Sequence, residues 1–261
     1  MEEDQVVARL RAAGCVFAEE EARLLGEAAR TPAGLEAMVG QREKGLPLEQ
    51  VVGWADFCGL RIFVDPGVFV PRRRSEFLVA TAVSLASRAS PVIVDLCCGT
   101  GALGLAVAAR LAAAGRAAGL HAADIDPAAG GCARRNVEPA GGRVYQGDLF
   151  APLPAELHGR VTVLICNAPY VPTGDIALLP PEARDYEPRT ALDGGSDGLA
   201  VLRRAAAEAP RWLAPGGVLL VETSDPQAAP MTRVMTAAGL TGRVHRGAEY
   251  ESTVVTGTAP G

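Results

Sequence analysis

The sequence predicts an α/β protein built on a doubly wound, mostly parallel sheet of seven strands, preceded by a small helical domain and a β-hairpin. Three observations support this prediction. From Pro91 onwards, short runs of β-branched and aliphatic residues alternate with helical patterns, as in parallel sheets whose crossovers are helices. A glycine-rich stretch follows the first of these runs. The last two strand-like runs have no helix between them, which predicts an antiparallel pair at one edge of the sheet.

Residues 1–48 are predicted to form the small helical domain. Apolar residues such as Val6 and Leu10 recur there at helical spacing. Thr31, which precedes a proline, is typical of a helix start, and Gly45 is typical of a helix stop. We interpret this domain as the part of the chain that recognises the substrate.

Residues 49–74 are interpreted as a linker that contains a β-hairpin, because two strand-like runs within 51–64 flank Gly59. Three consecutive arginines at 72–74 follow the hairpin. They are interpreted as a solvent-exposed surface, with contact to a partner as the alternative. Ser75 is predicted to cap the next helix.

Residues 75–261 are predicted to form the main domain. Its seven predicted strands lie at 92–96, 120–123, 143–145, 161–166, 218–222, 240–245 and 252–255. Its predicted helices lie at 101–111, 126–137 and 199–213. A long loop is expected between the strand that ends at 166 and the helix that begins at 199.

The composition narrows the classes of function. Hydrophobic residues make up 49% of the 261 residues, which is enough for a large buried core. The formal net charge of −5 lacks the basic excess of a nucleic-acid coat, so no nucleic-acid partner is expected. No apolar run of about 18 residues predicts a membrane span. The acidic residues 2–4 do not fit the basic start of a secretory signal, and we expect a cytoplasmic protein.

Six cysteines and three histidines are scattered along the chain. The sequence has no Cys-x-x-Cys pair, and its histidines lack the spacing of a metal-ligand set. We therefore expect reduced thiols and no metal site.

The glycine-rich stretch Gly99-x-Gly101-x-x-Gly104 lies between the first strand and the first helix of the main domain. Glycines let the backbone approach a ligand, and a helix start offers free N–H groups. Asp124 follows at the end of the next strand, where a ribose-binding acid is expected. By itself this pattern fits an NAD site equally well.

The carboxylate of Asp95 distinguishes two kinds of ligand. It lies four residues before Gly99, where it would repel a pyrophosphate. It suits a ligand with an ammonium group, such as the methionine part of S-adenosylmethionine. Asp148 follows the third strand and fits an adenine amino group, with Leu149 or Phe150 against the ring. Taken alone, Asp148 also fits an ordinary turn aspartate.

The strand at 161–166 ends in Asn167-Ala168-Pro169-Tyr170. In open α/β folds, the carboxyl ends of strands face the ligand. The Asn167 amide both donates and accepts hydrogen bonds, Pro169 fixes its own φ, and Tyr170 offers a flat ring. These groups predict a site for a planar substrate that bears an NH2 group. Read alone, the four residues also fit a strand end followed by a proline turn.

With these residues in place, the chain resembles the class I S-adenosylmethionine-dependent methyltransferases. Within that class it is similar to the protein-(glutamine-N5) methyltransferases of peptide chain release factors. The similarity rests on residues 42–53, 67–76 and 186–199, and on 167–170, where the family has Asn-Pro-Pro-Tyr. It implies methyl transfer to a glutamine amide in the Gly-Gly-Gln loop of a release factor, with S-adenosylhomocysteine as product. It also leads us to expect a monomer.

The resemblance also implies roles for individual residues. The implied catalytic residues are Asn167, Ala168, Pro169 and Tyr170. The implied cofactor-binding residues are Asp95, Cys97, Gly99, Gly101, Asp124, Asp148, Leu149 and Asn167.

Three positions depart from the family pattern. Ala168 replaces the first proline of the motif, Cys97 stands where a glycine is usual, and Arg73-Arg74-Ser75 replace a more acidic sequence. These departures keep alternatives open. One is an adenine N6 or other nucleic-acid methyltransferase, since such enzymes share the motif. The others are an NAD-dependent dehydrogenase and a catalytically silent protein that binds S-adenosylmethionine.

Overall fold

The computed structural model describes residues 2–261. The helices are α1 (Glu3–Ala12), α2 (Ala18–Ala28), α3 (Pro32–Glu43), α4 (Leu48–Val52), α5 (Glu76–Leu85), α6 (Ala102–Ala113), α7 (Pro127–Val137), α8 (Pro181–Tyr186), α9 (Arg189–Leu192), α10 (Ala200–Trp212) and α11 (Asp225–Ala237). The strands are β1 (Trp54–Phe57), β2 (Leu60–Phe63), β3 (Val92–Leu96), β4 (Gly119–Asp124), β5 (Arg143–Gln146), β6 (Val161–Cys166), β7 (Leu213–Thr223), β8 (Thr241–Gly247) and β9 (Ser252–Thr258).

Seven strands form one sheet in the order β5-β4-β3-β6-β7-β9-β8. The pairs from β5 to β7 are parallel, and β9 is antiparallel to both β7 and β8. The predicted fold class is therefore confirmed, including the antiparallel edge. From β3 the chain first builds β4 and β5 on one side and then crosses to β6 on the other. Such a switch point opens a crevice at the carboxyl ends of the strands, here those of β3 and β6.

The central strand β6 is buried along its whole length, because helices cover both faces of the sheet. On one side, Leu164 belongs to an apolar cluster that includes Leu202 of α10 and Met231 of α11. On the other side, Ile165 belongs to a cluster that includes Leu78 of α5. Packing on both faces fixes the position of the carboxyl end of β6, and hence the position of Asn167, which follows it.

The first three helices share an apolar cluster of their own, which includes Leu10, Leu25 and Val39. The Thr31 hydroxyl accepts a hydrogen bond from the Gly34 N–H over 3.0 Å, so the predicted helix start is confirmed. This helical segment touches the main domain through α8. Arg42 forms an ion pair of 2.9 Å with Glu182, and the Tyr186 hydroxyl donates to the Lys44 carbonyl.

Three local predictions were wrong. Residues 51 and 52 end helix α4 rather than begin a strand. The helix α11 was not predicted, because its two prolines resemble a helix stop; Pro226 lies in the first turn, where no N–H partner is needed. Ser75 does not cap α5 with its side chain. It lies in a 3₁₀ turn with helical φ and ψ, and its hydroxyl is buried without a partner.

Candidate functional site

A cavity of about 410 Å³ lies at the carboxyl ends of the central strands. The predicted cofactor residues that line it are Cys97, Gly99, Asp124, Asp148 and Leu149. The predicted catalytic residues that line it are Asn167, Ala168, Pro169 and Tyr170. Within residues 2–261, Asp95 and Gly101 lie outside the cavity wall. One space therefore joins the glycine-rich loop to the residues that follow β6.

The loop after β3 turns sharply through left-handed backbone conformations. The φ angle is 53° at Cys97, 55° at Gly99 and 77° at Gly101. A Cβ at Gly101 would lie 2.6 Å from a methyl carbon of Val137, so only glycine fits there. Cys97 adopts a conformation that costs a residue with a side chain about 1 kcal/mol. This backbone accounts for a glycine being usual at position 97.

Asp124 joins this loop to the end of β4. Its carboxylate accepts hydrogen bonds from the Gly99 N–H over 2.8 Å and from the Asp126 N–H over 2.9 Å. Burial raises the pKa of Asp124, while these hydrogen bonds lower it. A carboxylate has about four acceptor positions, so Asp124 retains capacity for a ligand in the cavity.

Asp95 lies beneath the loop rather than in the cavity. Its side chain is fully buried; one oxygen accepts from the Gly104 N–H over 2.9 Å, and the other has no partner. Burial, aided by the negative charge of Asp124, raises the pKa of Asp95 to about 7, although the Gly104 hydrogen bond opposes the shift. In the folded protein, the protonated form of Asp95 is therefore favoured below about pH 7.

We expect Asp95→Asn to flatten the pH dependence of stability. Because the pKa of Asp95 is higher in the folded chain than its ordinary value of 3.8, the folded state binds more protons, and stability falls as the pH rises from 3.8 to about 7. Asp95 contributes a fall of about 1.4 kcal/mol per pH unit to the free energy of unfolding in that window. The neutral amide still accepts from Gly104. Urea unfolding across this pH range, without cofactor, measures the slope; equal slopes in the two proteins would contradict the assignment.

The side chain of Asn167 emerges directly after β6. Its Oδ1 atom is buried and has no hydrogen-bond partner in the described chain, although the residue lines the cavity. A buried, unpaired amide oxygen costs about 1–3 kcal/mol. That cost is removed when a ligand in the cavity donates a hydrogen bond to it.

A glycine segment after α9 packs against residues 167–170, which we call the catalytic loop after their predicted role. A Cβ at Gly194 would lie 2.6 Å from the Pro169 carbonyl oxygen, and one at Gly198 would lie 2.2 Å from the Tyr170 carbonyl oxygen. The Gly194 N–H also donates to the Val171 carbonyl over 2.8 Å. The two backbones approach this closely only because side chains are absent at 194 and 198.

The interpretation of the three arginines as a solvent-exposed surface is confirmed for Arg73 and Arg74, whereas Arg72 is half-buried. Arg72 forms an ion pair of 2.6 Å with Glu187, and Arg74 forms one of 3.1 Å with Glu222. Both carboxylates are buried, whereas Arg73 is exposed. The partners lie 115 and 148 positions away along the chain, so no local pattern in the sequence indicated these pairs.

Asp148 and Leu149 form another part of the wall. Asp148 is half-exposed and pairs with Arg204, while Leu149 is buried and has a φ of 47°. Phe150, the other residue expected against an adenine ring, stacks instead on Trp212 at 5.3 Å between ring centroids. Of the two residues expected against an adenine ring, only Leu149 lines the cavity.

The described chain holds no group of three or more His, Cys, Asp or Glu side chains suited to a metal ion. All six cysteines are free thiols. None of the described helices combines the length and apolar character that crossing a membrane requires.

Comparison with known proteins gives a consistent set of relatives. Residues 59–178 match the methyltransferase small domain family. A release factor glutamine methyltransferase of Geobacter sulfurreducens is 39% identical over 209 residues, which cover 79% of this chain and 71% of the relative. A 4-amino-L-phenylalanine/4-methylamino-L-phenylalanine methyltransferase of Streptomyces pristinaespiralis is 38% identical over 199 residues, which cover 74% of this chain and 66% of that protein.

A solved structure supports the fold. A methyltransferase from Pyrococcus furiosus matches with a TM-score of 0.56 at 16% sequence identity. The match covers 86% of this chain and 98% of that one. At this level of identity the similarity concerns the fold alone.

Proposed function

Because this chain belongs to the family of release factor glutamine methyltransferases, we propose that it methylates the side-chain amide nitrogen of a glutamine. The acceptor is the Gly-Gly-Gln loop of a peptide chain release factor, the methyl donor is S-adenosylmethionine, and S-adenosylhomocysteine is the second product. One observation carries the proposal: the buried, unpaired Oδ1 of Asn167 lines the same cavity as the glycine-rich loop.

The residues of the cavity fit the proposed cofactor. S-adenosylmethionine supplies a methyl group activated by a positively charged sulfur. The cavity of about 410 Å³ lies within the range of about 300–1,000 Å³ that small-molecule sites occupy. Asp124 has acceptor capacity for ribose hydroxyls, Asp148 for the adenine amino group, and Leu149 offers an apolar contact to the ring. The left-handed turn at Cys97 and Gly99 brings the backbone to the cavity wall.

Asp95 and Gly101 would contribute to cofactor binding indirectly, by supporting the glycine-rich loop. Asp95 accepts from the Gly104 N–H at the start of α6, and Gly101 packs closely against Val137 of α7. Both residues thereby hold the shape of the loop that would carry the cofactor.

Catalysis would rest on positioning. An amide nitrogen is a poor nucleophile because its lone pair is delocalised into the carbonyl. The Asn167 Oδ1 and the Ala168 carbonyl would accept hydrogen bonds from the acceptor NH2 and orient its lone pair, with Pro169 stiffening the loop and the Tyr170 ring beside the amide. The nitrogen would gain the methyl group and release one proton to solvent, and S-adenosylhomocysteine would be the leaving group. Well-oriented reacting groups gain about 7–11 kcal/mol from such positioning. The buried site also excludes water as the sulfur loses its charge.

We further propose the roles of the three parts of the chain. Residues 1–48 recognise the release factor, 49–74 link the two domains, and 75–261 carry the methyltransferase site. The separate apolar cluster of the first helices supports this division, and so does the Arg42–Glu182 ion pair, since Glu182 lines the cavity. The net charge of −5 favours a protein acceptor over a nucleic acid. We propose a cytoplasmic monomer.

The decisive experiment offers labelled S-adenosylmethionine together with competing acceptors. These are a purified release factor, the same factor with the loop glutamine replaced by alanine, an adenine-rich RNA and free 4-amino-L-phenylalanine. We expect label on the loop glutamine alone, located by mass spectrometry. Label on RNA or on the free amine would replace the proposal with another acceptor. Cofactor binding without transfer to any of them would identify a silent relative.

We expect Asp124→Asn to raise the Kd of S-adenosylmethionine about 10- to 150-fold, since a hydrogen bond to a charged acceptor contributes about 1.5–3 kcal/mol. The amide oxygen can still accept from the Gly99 N–H, whereas the amide nitrogen replaces the oxygen that accepts from the Asp126 N–H. Titration calorimetry measures the change. Asp56→Asn, on the exposed face of β1, is the matched control with the same loss of charge. An unchanged Kd in Asp124→Asn would place the cofactor elsewhere.

A further inference from the structure

Tyr170 is held at both of its ends. Its main-chain carbonyl accepts from Gln227 Nε2 over 2.8 Å. Its hydroxyl donates to Glu222 Oε1 over 2.9 Å and accepts from Arg74 Nη2 over 2.7 Å. Arg74 also reaches Glu222 Oε1 directly, with an Nε to Oε1 distance of 3.1 Å. Burial raises the pKa of Tyr170, so the hydroxyl remains a donor at neutral pH.

The carboxylate in this triad depends on Arg74. The Glu222 side chain is 3% exposed, and its Oε2 atom has no hydrogen-bond partner in the described chain. Within residues 2–261, Arg74 is the only cation within 4.0 Å of Glu222. An isolated buried carboxylate is strongly disfavoured. Loss of Arg74 would therefore remove the cation that compensates Glu222, and would change the hydrogen bonding between Glu222 and the Tyr170 hydroxyl.

Arg74 comes from the linker, whereas its partners belong to the catalytic loop and to β7. It lies in the 3₁₀ turn Arg73–Ser75 before α5. Its side chain is 49% exposed and lines the cavity beside Tyr170. A half-exposed arginine adds little to the core, so its main contacts are the two hydrogen-bonded groups. The planar guanidinium bridges both of them, which a single ammonium group does less well.

We propose that Arg74 is a positioning residue, which fixes the Tyr170 ring against the acceptor through the Tyr170 hydroxyl and Glu222. This inference rests on the proposed function, because it takes Tyr170 to contact the acceptor amide. Arg74 belongs to the linker and contacts both Glu222 and Tyr170. The placement of the linker therefore affects the orientation of the Tyr170 ring.

The first test does not require turnover. The chain has four tyrosines, so incorporation of 3-fluorotyrosine gives a small set of fluorine NMR signals, and Tyr170→Phe assigns that of Tyr170. We expect the Tyr170 signal to shift and broaden in Arg74→Ala, because the ring samples further orientations. Arg73→Ala is the matched control, since Arg73 is exposed and lies outside the cavity wall. An unchanged Tyr170 signal in folded Arg74→Ala would overturn the inference.

The second test is a double-mutant cycle on methyl transfer. Displacing a reacting group by about 1 Å costs about 100-fold in rate, so we expect a fall in kcat of about 10- to 100-fold in Arg74→Ala and in Tyr170→Phe. The fall in kcat of the double variant should be no larger than that of the more impaired single variant, because both substitutions release the Tyr170 ring. Losses that multiply would show that Arg74 acts independently of Tyr170. The KM for S-adenosylmethionine should stay within about twofold of wild type if positioning alone is affected.

Arg74→Lys is a control for a folding defect in Arg74→Ala. It keeps a positive charge beside Glu222 but loses the planar fork, so we expect a kcat between those of the wild type and Arg74→Ala. In the Tyr170→Phe background the lysine variant should have no effect, and an effect there would overturn the inference. A wild-type protein that methylates no acceptor would refute the proposed function instead. The NMR comparison would still decide the role of Arg74.

Discussion

Asn167→Ala is expected to lower the kcat of methyl transfer at least about 1,000-fold, the largest effect of any single substitution in the site. The change removes a buried, unpaired amide oxygen from a residue that lines the cavity, where we propose that it accepts from the acceptor NH2. Losing a preorganised hydrogen-bonding group in an enclosed site costs about 10²–10³ in rate, and loss of orientation adds to this. The Kd of S-adenosylmethionine should stay within about threefold of wild type, because Asp124 and the loop around Gly99 are unchanged.

A second variant distinguishes the effect of losing the Asn167 oxygen from the effect of losing side-chain volume. Asn167→Leu restores the bulk of the residue without an acceptor atom, so it should be as inactive as Asn167→Ala. Single-turnover kinetics with saturating cofactor, alongside calorimetric titration, measures chemistry and binding separately. Turnover within tenfold of wild type in either variant would be incompatible with the assigned role of the carboxamide.

Gly194→Ala is expected to lower kcat about 100-fold without unfolding the protein. The new methyl group would lie 2.6 Å from the Pro169 carbonyl oxygen and 2.7 Å from Gly198 Cα, which no ordinary contact allows. The catalytic loop must therefore shift, and a displacement near 1 Å has a cost of about this size. The φ of Gly194 is outside the left-handed region, so alanine adds a steric contact without backbone strain.

Gly174→Ala provides the matched control for this prediction. A Cβ at Gly174 meets no atom within 4 Å, and the residue lies in the 3₁₀ segment just after the catalytic loop. Its kcat should equal that of wild type. Steady-state assays and thermal unfolding of both variants distinguish a displaced loop from a general loss of stability. Equal activity of the two variants would show that the glycine segment does not control the loop.

The sheet could be predicted because its signals are local. The strand β6 was predicted with its observed bounds, since six consecutive residues are buried on both faces and such strands read as continuous apolar runs. The helix α11 was not predicted because its apolar face is interrupted by Pro226 and Pro230. The packing of Met231 and Met235 in the core stabilises it as a helix, together with a capping box formed by Ser224 and Gln227.

The site residues that lie at the carboxyl ends of strands could be predicted from the sequence. Asp124 ends β4 and Asn167 follows β6, on either side of β3, and both line the cavity. The contacts that fix these groups were not predictable, because the partners of Arg72 and Arg74 are more than one hundred positions away. Asp95 shows a related difficulty: the sequence placed its carboxylate near the ligand, but only the packing of Gly104 over it determined that it lies beneath the loop.

The attachment of α8 to the first helices has a consequence for access. Residues of α8 form part of the cavity wall, and the same helix is tied to α3 and its following residue by Arg42–Glu182 and Tyr186–Lys44. Moving α8 outward stretches both contacts unless the helical segment moves with it. The width of the cavity at α8 therefore depends on the position of the first helices as well as on the main domain.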